Sequence, residues 1–401
     1  MKYIVGWCGA VVFCLLGVRF TLAQANSRAP VLTVLHNFNG ADGQQVQAGL
    51  VRDDAGNLYG TTVTGGRYNF GVVFKLDAVG KLTVVHHFTG GADGGYPQAG
   101  LIRDAAGNFY GTASWGGTGS CFQGECGVVF KLDPRGKETV LYSFFRGKDG
   151  AKPVAGLLRD EAGNLYGTAA EAGLAGGCGG AGCGVVFKLD PTGKQTVLYS
   201  FTGGTDGGQP LGELMRDASG NLYGTTLAGG IRGTCGPAGC GVVFRVDPTG
   251  HESVPYHFQG EQDGAGPIDG LISDGHGHAY STATYRGGSD WGVIFRLNAA
   301  GKETVLHSFT GGADGATPEG ALLLDAAGGL YGTAMQGGMS CSCGVIFNVR
   351  PDGKFIILHQ FNGLDGFSPY GDLVRDGAGN LYGTTAYGGT YGLGVVFKLS
   401  P

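Results

Sequence analysis

Cysteines are the residues of this 401-residue chain whose spacing most clearly suggests chemistry. Two of the ten, Cys8 and Cys14, lie in an apolar N-terminal stretch, and the other eight form close pairs. These disulfide candidates are Cys121/Cys126, Cys178/Cys183, Cys235/Cys240 and Cys341/Cys343. In an exported protein such pairs form disulfides, and each would close its own loop. A free or redox-active pair stays open for the tighter Cys341-Ser-Cys343. Zinc is the alternative for the others, but no unit has two pairs or a nearby histidine, so we predict no metal site.

Aspartates and histidines recur at fixed places, which favours structural roles over catalysis. His36, His86, His307 and His359 share a position that Tyr142, Tyr199 and Tyr256 hold in other units. One aspartate series caps tight turns: Asp53, Asp104, Asp160, Asp217, Asp274, Asp325 and Asp376. A second series lies in Asp-Gly segments: Asp42, Asp93, Asp149, Asp206, Asp263, Asp314 and Asp365. Oxygen-rich loops of this kind can hold Ca²⁺, the one cofactor that we leave open.

Polar residues that belong to a single unit are the remaining candidates for a catalytic site. Glu171, Glu213, His276 and His278 are of this kind, and the two histidines replace a usual Ala-Gly-Asn turn. Two interpretations of this turn stay open: it is half of a metal site, or it is a solvated loop. Because no nucleophile elbow, zinc-protease motif or P-loop is present, we assign no catalytic residue and lean against an enzyme.

The elements that position these residues follow from a phrase such as RDAAGNFYGTASWGG at 103–117, which recurs seven times. Its tyrosine falls at Tyr59, Tyr110, Tyr166, Tyr223, Tyr280, Tyr331 and Tyr382. Spacings of 51 to 57 residues indicate a propeller or a solenoid. Each unit holds four strand-like segments joined by turns such as Asp104-Ala-Ala-Gly107 and Asp133-Pro-Arg-Gly136. We expect the tyrosines to pack between units, with their hydroxyls bonded to the adjacent unit.

The two ends of the repeat array indicate a closed ring. GVVF-type third strands occur seven times, and after the last one, at 394–400, the fourth strand is missing. The sequence pattern of that fourth strand appears instead near the N-terminus, in VLTVLHNFNG. In a closed ring the displaced strand would pair with the last blade, and no strand edge would stay exposed. We therefore predict an all-β fold, a seven-bladed β-propeller with four antiparallel strands per blade, in which strand 31–38 completes the last blade.

The predicted organisation is a signal peptide at 1–25 followed by one propeller at 26–401. The blades span about 45–90, 91–146, 147–203, 204–260, 261–311, 312–362, and 363–400 with 31–39. The long loops and the Asp-Gly crossings share one face of the ring. Loops on a rigid scaffold favour ligand binding, and we predict that the aromatic residues of this face bind the ligand. They are Trp115, Phe122, Tyr285, Trp291, Tyr387 and Tyr391.

The repeat text resembles two known groups. The pattern D-x-x-G-N-L-Y-G-T, then G-V-V-F-K-L-D and a D-P-x-G turn, resembles NHL-type propeller repeats, which implies an innermost Gly-Leu strand and an outermost Val-Leu-Tyr-Ser-Phe strand. The full unit, which continues to T-V-L-Y-S-F-x-G-G-x-D-G, more closely resembles the GloVer tandem repeat of secreted bacterial proteins over residues 31–400. This resemblance implies no particular activity.

The N-terminal segment indicates the cellular location of the protein, and its net charge limits the classes of binding partner. Lys2, an apolar run and the small residues of Ala23-Gln24-Ala25 form the layout of a secretory signal peptide, with an uncleaved anchor as the alternative. The formal net charge of −5 becomes −7 without residues 1–25, which carry two basic and no acidic residues. A mildly acidic chain without a basic cluster is a poor nucleic-acid binder. We expect an extracellular or periplasmic monomer with no membrane span after cleavage.

Three functions fit these observations. The first is a binding or interaction module for a glycan or a cell-surface protein; the second is an extracellular hydrolase or lyase with a site at the channel mouth; the third is a structural envelope protein. Fold alone does not decide among them. Unit-specific polar residues gathered at the channel mouth would favour catalysis, and the same residues spread over the loop face would favour binding.

Overall fold

The ring of sheets that the repeats predict is present in a computed structural model, which describes residues 29–119, 124, 126–174, 178, 180–231, 233–339 and 341–401. Seven separate four-stranded antiparallel sheets form a seven-bladed β-propeller, and a short 3-10 turn lies at Gly236–Ala238. Nowhere in the described part of the chain does a helix have the length and apolarity to cross a membrane.

Each blade contains four strands in order from the central channel outward. The first strands have two residues each: β2 (Val51–Arg52), β6 (Ile102–Arg103), β10 (Leu158–Arg159), β14 (Met215–Arg216), β18 (Ile272–Ser273), β22 (Leu323–Leu324) and β26 (Val374–Arg375). The second strands carry the tyrosine phrase: β3 (Leu58–Thr62), β7 (Phe109–Ala113), β11 (Leu165–Ala169), β15 (Leu222–Thr226), β19 (His278–Ala283), β23 (Leu330–Ala334) and β27 (Leu381–Thr385).

The third and fourth strands complete the blades. The third strands are β4 (Val72–Leu76), β8 (Val128–Leu132), β12 (Val185–Leu189), β16 (Val242–Val246), β20 (Val293–Asn298), β24 (Val345–Val349) and β28 (Val395–Ser400). The outer strands of blades 1 to 6 are β5 (Leu82–His87), β9 (Glu138–Ser143), β13 (Gln195–Ser200), β17 (Glu252–His257), β21 (Glu303–Ser308) and β25 (Phe355–Gln360). The outer strand of blade 7 is β1 (Val31–Asn37).

Closure by the N-terminal strand is confirmed. Strand β1 pairs antiparallel with β28 in a register that runs from Val31 opposite Ser400 to Asn37 opposite Val395. The sheet order of this blade is β1-β28-β27-β26, so chain segments from the two ends of the sequence share one sheet. The hydroxyl of Thr384 in blade 7 also donates to the carbonyl of Ala48 in blade 1, at 3.0 Å.

The core consists of seven apolar clusters, one at each boundary between blades. A phenylalanine after each outer strand meets the third-strand phenylalanine of the next blade edge to face. Phe88 and Phe130 are typical, with ring centroids 5.2 Å apart and no exposed surface. The pair Phe38 and Phe74 repeats this contact across the closing boundary. Each such pair adds about 1 kcal/mol beyond the burial of its area.

The recurring phrase builds the first turn of each blade. In blade 1, Asp53 accepts hydrogen bonds from the backbone and side-chain nitrogens of Asn57, at 2.8 and 2.7 Å, and from the Tyr59 hydroxyl at 3.1 Å. Burial works to raise the pKa of Asp53, but these bonds outweigh it and hold the pKa below its usual value. The expected bond from the tyrosine hydroxyl to the adjacent blade is therefore wrong. The tyrosine ring does contact that blade, since the ring centroids of Tyr59 and Phe109 are 4.4 Å apart.

Candidate functional site

The central channel is lined by residues of the three positions that precede a recurring leucine, which itself lies directly before each first strand, as Leu50 does before β2. These segments descend from the face with the blade crossings toward the face with the tight turns. They enclose a cavity of about 200 Å³ to which all seven blades contribute. Blades 1 to 3 present only Gln47, Gln98, Val154 and small residues there.

Blades 4 to 7 instead place four carboxyl groups in this cavity: Glu213, Asp269, Glu319 and Asp372. The carboxyl groups occupy three different positions within their segments, which places them at three depths. Glu319 is nearest the crossing face, Asp269 lies one residue deeper, and Glu213 and Asp372 lie one residue deeper still. No lysine or arginine is found among the described residues that line the cavity.

Contacts with neighbouring blades hold Asp372 and Glu213, and a contact within blade 5 holds Asp269. Asp372 Oδ1 accepts a hydrogen bond of 2.7 Å from the backbone nitrogen of Ala321 in blade 6. Asp269 Oδ2 accepts a bond of 3.2 Å from the Thr282 hydroxyl. The carboxylate of Glu213 lies so close to Gly156 of blade 3 that any Cβ at position 156 would overlap it. The site therefore depends on how adjacent blades pack.

The carboxyl groups hold protons more tightly than usual. Burial, with the charge of Asp372 nearby, raises the pKa of Glu213 to about 8, and burial raises the pKa of Glu319 to about 7. Burial and the charges of Asp372 and Glu319 raise the pKa of Asp269 well above its usual value. The pKa of Asp372 is also raised by burial, although its bond to Ala321 opposes this. Near neutral pH the cluster can thus both donate and accept protons.

Tyr370 also lines the cavity, at the same position in its segment as Glu319. Burial raises the pKa of Tyr370 to about 12, and the charges of Glu319, Tyr387 and Tyr285 add to this increase. The side-chain amide of Gln45 donates to the Tyr387 hydroxyl at 3.4 Å. The predicted ligand residues Tyr285 and Tyr387 are not among the described residues that line the cavity, and their role in binding stays a prediction.

A comparison with protein families decides what kind of chain this is. A profile described as the Gloeobacter/Verrucomicrobia repeat matches residues 15–236 and 233–401. The chain belongs to this repeat family. A comparison with curated proteins finds no match.

Solved structures share the fold of this family member at low sequence identity. The extracellular domain of BT3049 from B. thetaiotaomicron is 14% identical, with a TM-score of 0.58; the match covers 93% of this chain and 41% of that one. A puromycin-hydrolyzing peptidase from Mycobacterium tuberculosis is 11% identical, with a TM-score of 0.53, and 86% and 50% of the two chains are covered. The chain thus spans two fifths to one half of these structures, which show the propeller fold alone.

The other aromatic residues predicted to bind ligand are spread over the crossing face of this Gloeobacter/Verrucomicrobia repeat protein. Trp115 packs on Tyr96 in blade 2, with ring centroids 5.7 Å apart. The Trp291 ring lies against Gly311, and Tyr391 is exposed in blade 7. Phe122 lies outside the described residues. The structure does not bring these side chains to the channel, and their role in binding stays a prediction.

Disulfides are present where the cysteine spacing predicted them. Cys178–Cys183, Cys235–Cys240 and Cys341–Cys343 are bonded, so the last pair is not free. Cys126 is also disulfide-bonded, whereas Cys121 lies outside the described residues. The sulfur atoms of the second pair lie against Gly260, in the crossing that leaves the same blade.

The crossing aspartates hold their own turns together. Asp206 accepts bonds from the backbone of Thr202 at 2.7 Å and from the Tyr199 hydroxyl at 3.0 Å. In blade 5 the histidine at this strand position, His307, makes the corresponding contact to Asp314 at 3.1 Å. Among the described residues, no three His, Cys, Asp or Glu side chains are placed to hold one metal ion.

Sequence reasoning singled out Glu213 but missed Asp269, Glu319, Asp372 and Tyr370. Of the other unit-specific candidates, Glu171 pairs with Lys152 at 2.9 Å and His278 bonds Asp274 at 2.8 Å. Both therefore have structural partners away from the channel. The missing signal was available from the repeats themselves: Gln-Ala-Gly before the leucine that precedes the first strand in blades 1 and 2 becomes Leu-Gly-Glu, Ile-Asp-Gly, Glu-Gly-Ala and Tyr-Gly-Asp in blades 4 to 7.

Proposed function

We propose that the protein is an exported binding module whose ligand enters the central channel from the crossing face. One observation carries this proposal. Residues that differ between blades, namely Glu213, Asp269, Glu319, Tyr370 and Asp372, converge on one cavity, while the repeated residues build the ring. The signal-peptide layout, the disulfides and the likeness in shape to extracellular domains support an extracellular or periplasmic location.

The chemistry of the cavity favours a ligand that is rich in donors and positively charged. Burial raises the pKa of all four carboxyl groups, and neighbouring carboxylates add to the increase for Glu213 and Asp269, so a bound cation would stabilise the ionised forms. The ring of Tyr370, which lines the cavity, suits both the face of a sugar and a cation. An amine-bearing glycan combines these features, so we infer that the ligand contains amino sugar.

A glycan-binding screen at pH 7, where the amines of the sugar are still partly protonated, tests this proposal with chito-oligosaccharides that carry free amines, their N-acetylated forms and oligomers of uronic acid. We expect only the amine-bearing class to bind. The double variant Glu213→Gln/Asp372→Asn should lose at least tenfold in affinity, about 1.4 kcal/mol. Tyr68→Ala, which changes an exposed tyrosine that does not line the cavity, should bind as the original protein does. Equal loss on Tyr68→Ala, or binding of uronic acids, would contradict the channel site.

The pH dependence of binding has a definite sign. Because the pKa values of Glu213 and Glu319 are raised to about 8 and about 7, both groups become charged as the pH rises from 6 to 8. Affinity for a trimethylammonium form of the glycan, whose charge is permanent, should therefore increase over this range, whereas the free amine of an amino sugar itself loses its proton near neutral pH. A flat profile in Glu213→Gln/Glu319→Gln would link the change to these groups.

A hydrolase or lyase is the second candidate, because blade-specific carboxyl groups gathered in the channel are the arrangement expected of an enzyme. A carboxyl group with a pKa near 7 or 8 can act as a general acid at neutral pH. Chain shortening of the bound glycan, lost in Glu213→Gln while binding persists, would establish this alternative. No binding of any glycan class would favour the structural role.

A further inference from the structure

The boundary between blades 4 and 5 departs from the repeat at three neighbouring positions. Ser273 stands where five other blades carry arginine: Arg52, Arg103, Arg159, Arg216 and Arg375. Ala279 stands where the others carry Leu or Phe: Leu58, Phe109, Leu165, Leu222, Leu330 and Leu381. Pro255 replaces the Leu or Val of the other outer strands: Leu35, Val85, Leu141, Leu198, Leu306 and Leu358. Each change removes or reshapes side-chain volume at this boundary.

The smaller residues leave a cavity of about 660 Å³ between the two blades, at the end of the ring that carries the tight turns. At other boundaries an arginine of the next blade covers the phrase tyrosine, as Arg159 covers Tyr110 with its guanidinium carbon 5.8 Å from the ring centroid. Arg375 covers Tyr331 in the same way, at 5.5 Å. Ser273 is too short to cover Tyr223, whose ring therefore forms part of the cavity wall.

The inner wall of this inter-blade cavity is apolar and its rim is polar. Met215, Val243, Pro255, Leu271 and Leu297 contribute apolar surface. Ser253, Arg245, His278, Asn298 and two charged residues of the turn, Arg216 and Asp217, contribute polar atoms. Asp217 is engaged within its own turn by Asn221, and Arg216 covers Tyr166 of blade 3, at 6.0 Å. Arg245 is the other arginine that lines the cavity.

Arg245 has an unmet donor beside this cavity. Its Nη2 donates to Asn221 Oδ1 at 2.9 Å, while its Nε is buried and has no acceptor in the described structure. No carboxylate among the described residues forms an ion pair with it. At the same position four blades carry lysine, whose ammonium lies over the tyrosine of its own blade, as for Lys188 and Tyr166 at 5.8 Å. A guanidinium with unpaired donors is suited to a carboxylate or a sulfonate.

We propose that the cavity between blades 4 and 5 binds a small amphiphilic carboxylate, with its apolar chain between the blades and its anionic group at Arg245. The site is separate from the central channel and lies toward the opposite face of the ring. A chain of about ten carbons fits the volume, since ligand pockets of this size hold molecules of comparable dimensions. Recognition of an anion here contrasts with the acidic character of the channel.

Calorimetric titration with decanoate tests the proposal, with decyltrimethylammonium as the probe of opposite charge. We expect one decanoate to bind per chain and the ammonium not to bind. Ser273→Arg/Ala279→Leu restores the residues of the repeat and fills the cavity, so decanoate affinity should fall at least tenfold. Arg245→Lys keeps the cavity and the charge but loses the planar donor pair, and a smaller decrease is expected.

Arg296→Lys is the matched control, because Arg296 holds the same position in blade 5 and does not line the cavity. It should leave decanoate binding unchanged. Equal affinity for the two probes, or undiminished binding in a folded Ser273→Arg/Ala279→Leu protein, would overturn the proposal. Folding is checked by near-ultraviolet circular dichroism. If the double variant does not fold, Ser273→Arg alone and Arg245→Lys decide, and unchanged affinity in both would overturn it equally.

Discussion

Buried acid pairs at the blade boundaries set a pH dependence of stability at the scale of single residues. Glutamates that begin outer strands lie beside a crossing aspartate of the preceding boundary: Glu138 with Asp93, Glu252 with Asp206, and Glu303 with Asp263. Burial, with the charge of that aspartate, raises the pKa of each glutamate to about 7. Glu303 Oε1 is buried without a hydrogen-bond partner among the described residues.

Replacing Glu303 by Gln should stabilise the protein at high pH and not at low pH. The folded-state pKa lies above the unfolded value, so the ionised group opposes folding increasingly between pH 4.5 and 7, and fully above that range. After allowing for the partly exposed position, we expect a gain of about 1 kcal/mol at pH 8 and none at pH 4. Urea unfolding at the two pH values measures this difference.

Blade 3 supplies the matched control for this prediction. Gln195 occupies the equivalent position and donates to the carbonyl of Asp149 at 3.1 Å. Gln195→Glu should therefore destabilise the protein at pH 8 and change little at pH 4. A gain for Glu303→Gln that is the same at both pH values would show that packing, and not ionisation, is responsible.

The sequence allowed the repeated residues to be assigned but not the residues that differ among blades. A residue that recurs seven times, such as Asp53 with its equivalents, identifies a turn because each copy supports the same local explanation. Asp269 occurs once, and its carboxylate meets Asp372 only after blades 5 and 7 are placed around a common axis. Residues 103 positions apart show no local pattern, so their meeting depends on ring geometry.

At the scale of elements, the loops between second and third strands share one structural position with different chemistry. The residue before the third-strand glycine is Phe70, Trp291 or Leu393 in three blades and cysteine in the other four. Phe70 and Trp291 lie against a crossing glycine, Gly90 and Gly311, as the sulfur atoms of Cys235 and Cys240 lie against Gly260. A disulfide and a large apolar side chain therefore cover the same part of the crossing.

A large apolar residue should consequently replace a disulfide in this position. Cys235→Ser/Cys240→Ser is expected to lower stability by about 2 kcal/mol, since it opens a small loop and uncovers Gly260. Cys235→Ser/Cys240→Phe restores the cover as Phe70 provides it, and should recover at least half of the loss. Thermal unfolding of the two variants under identical oxidising conditions compares them. If both melt alike, the loop closure and not the cover accounts for the stabilisation.

At the scale of the whole molecule, closure of the ring could be predicted from the sequence, because one strand segment of the repeat stands near the N-terminus instead of after the last third strand. Strand β1 has the sequence pattern of an outer strand, and it pairs with β28 as the outer strand of the seventh blade. The inter-blade cavity could not be predicted in this way. The changes at Pro255, Ser273 and Ala279 are visible in the sequence, but each is an ordinary substitution until packing shows that all three face one boundary.

The geometry of blade 7 also indicates how Pro401 and Val31 can be joined by a short turn. In blade 3 five residues, Asp190 to Lys194, join the third strand to the outer strand, and Asp190 bonds to Lys194 at 3.0 Å across the turn. Ser400, Pro401 and Val31 match the first, second and last of these positions, because Val31 pairs with Ser400. Two residues, Thr-Gly, inserted between Pro401 and Val31 would therefore complete the same turn.

A circular permutant with this Thr-Gly link, and with new termini in the exposed turn between Asp190 and Lys194, should fold as a ring of the same size and melt within a few degrees of the original chain. Deletion of residues 29–38 should instead leave the β28 edge unpaired, and an unpaired edge invites association between chains. We expect this truncated protein to form oligomers in light scattering at concentrations where the permutant does not. A monomeric, equally stable truncated protein would show that the pairing of β1 with β28 contributes little to closure of the ring.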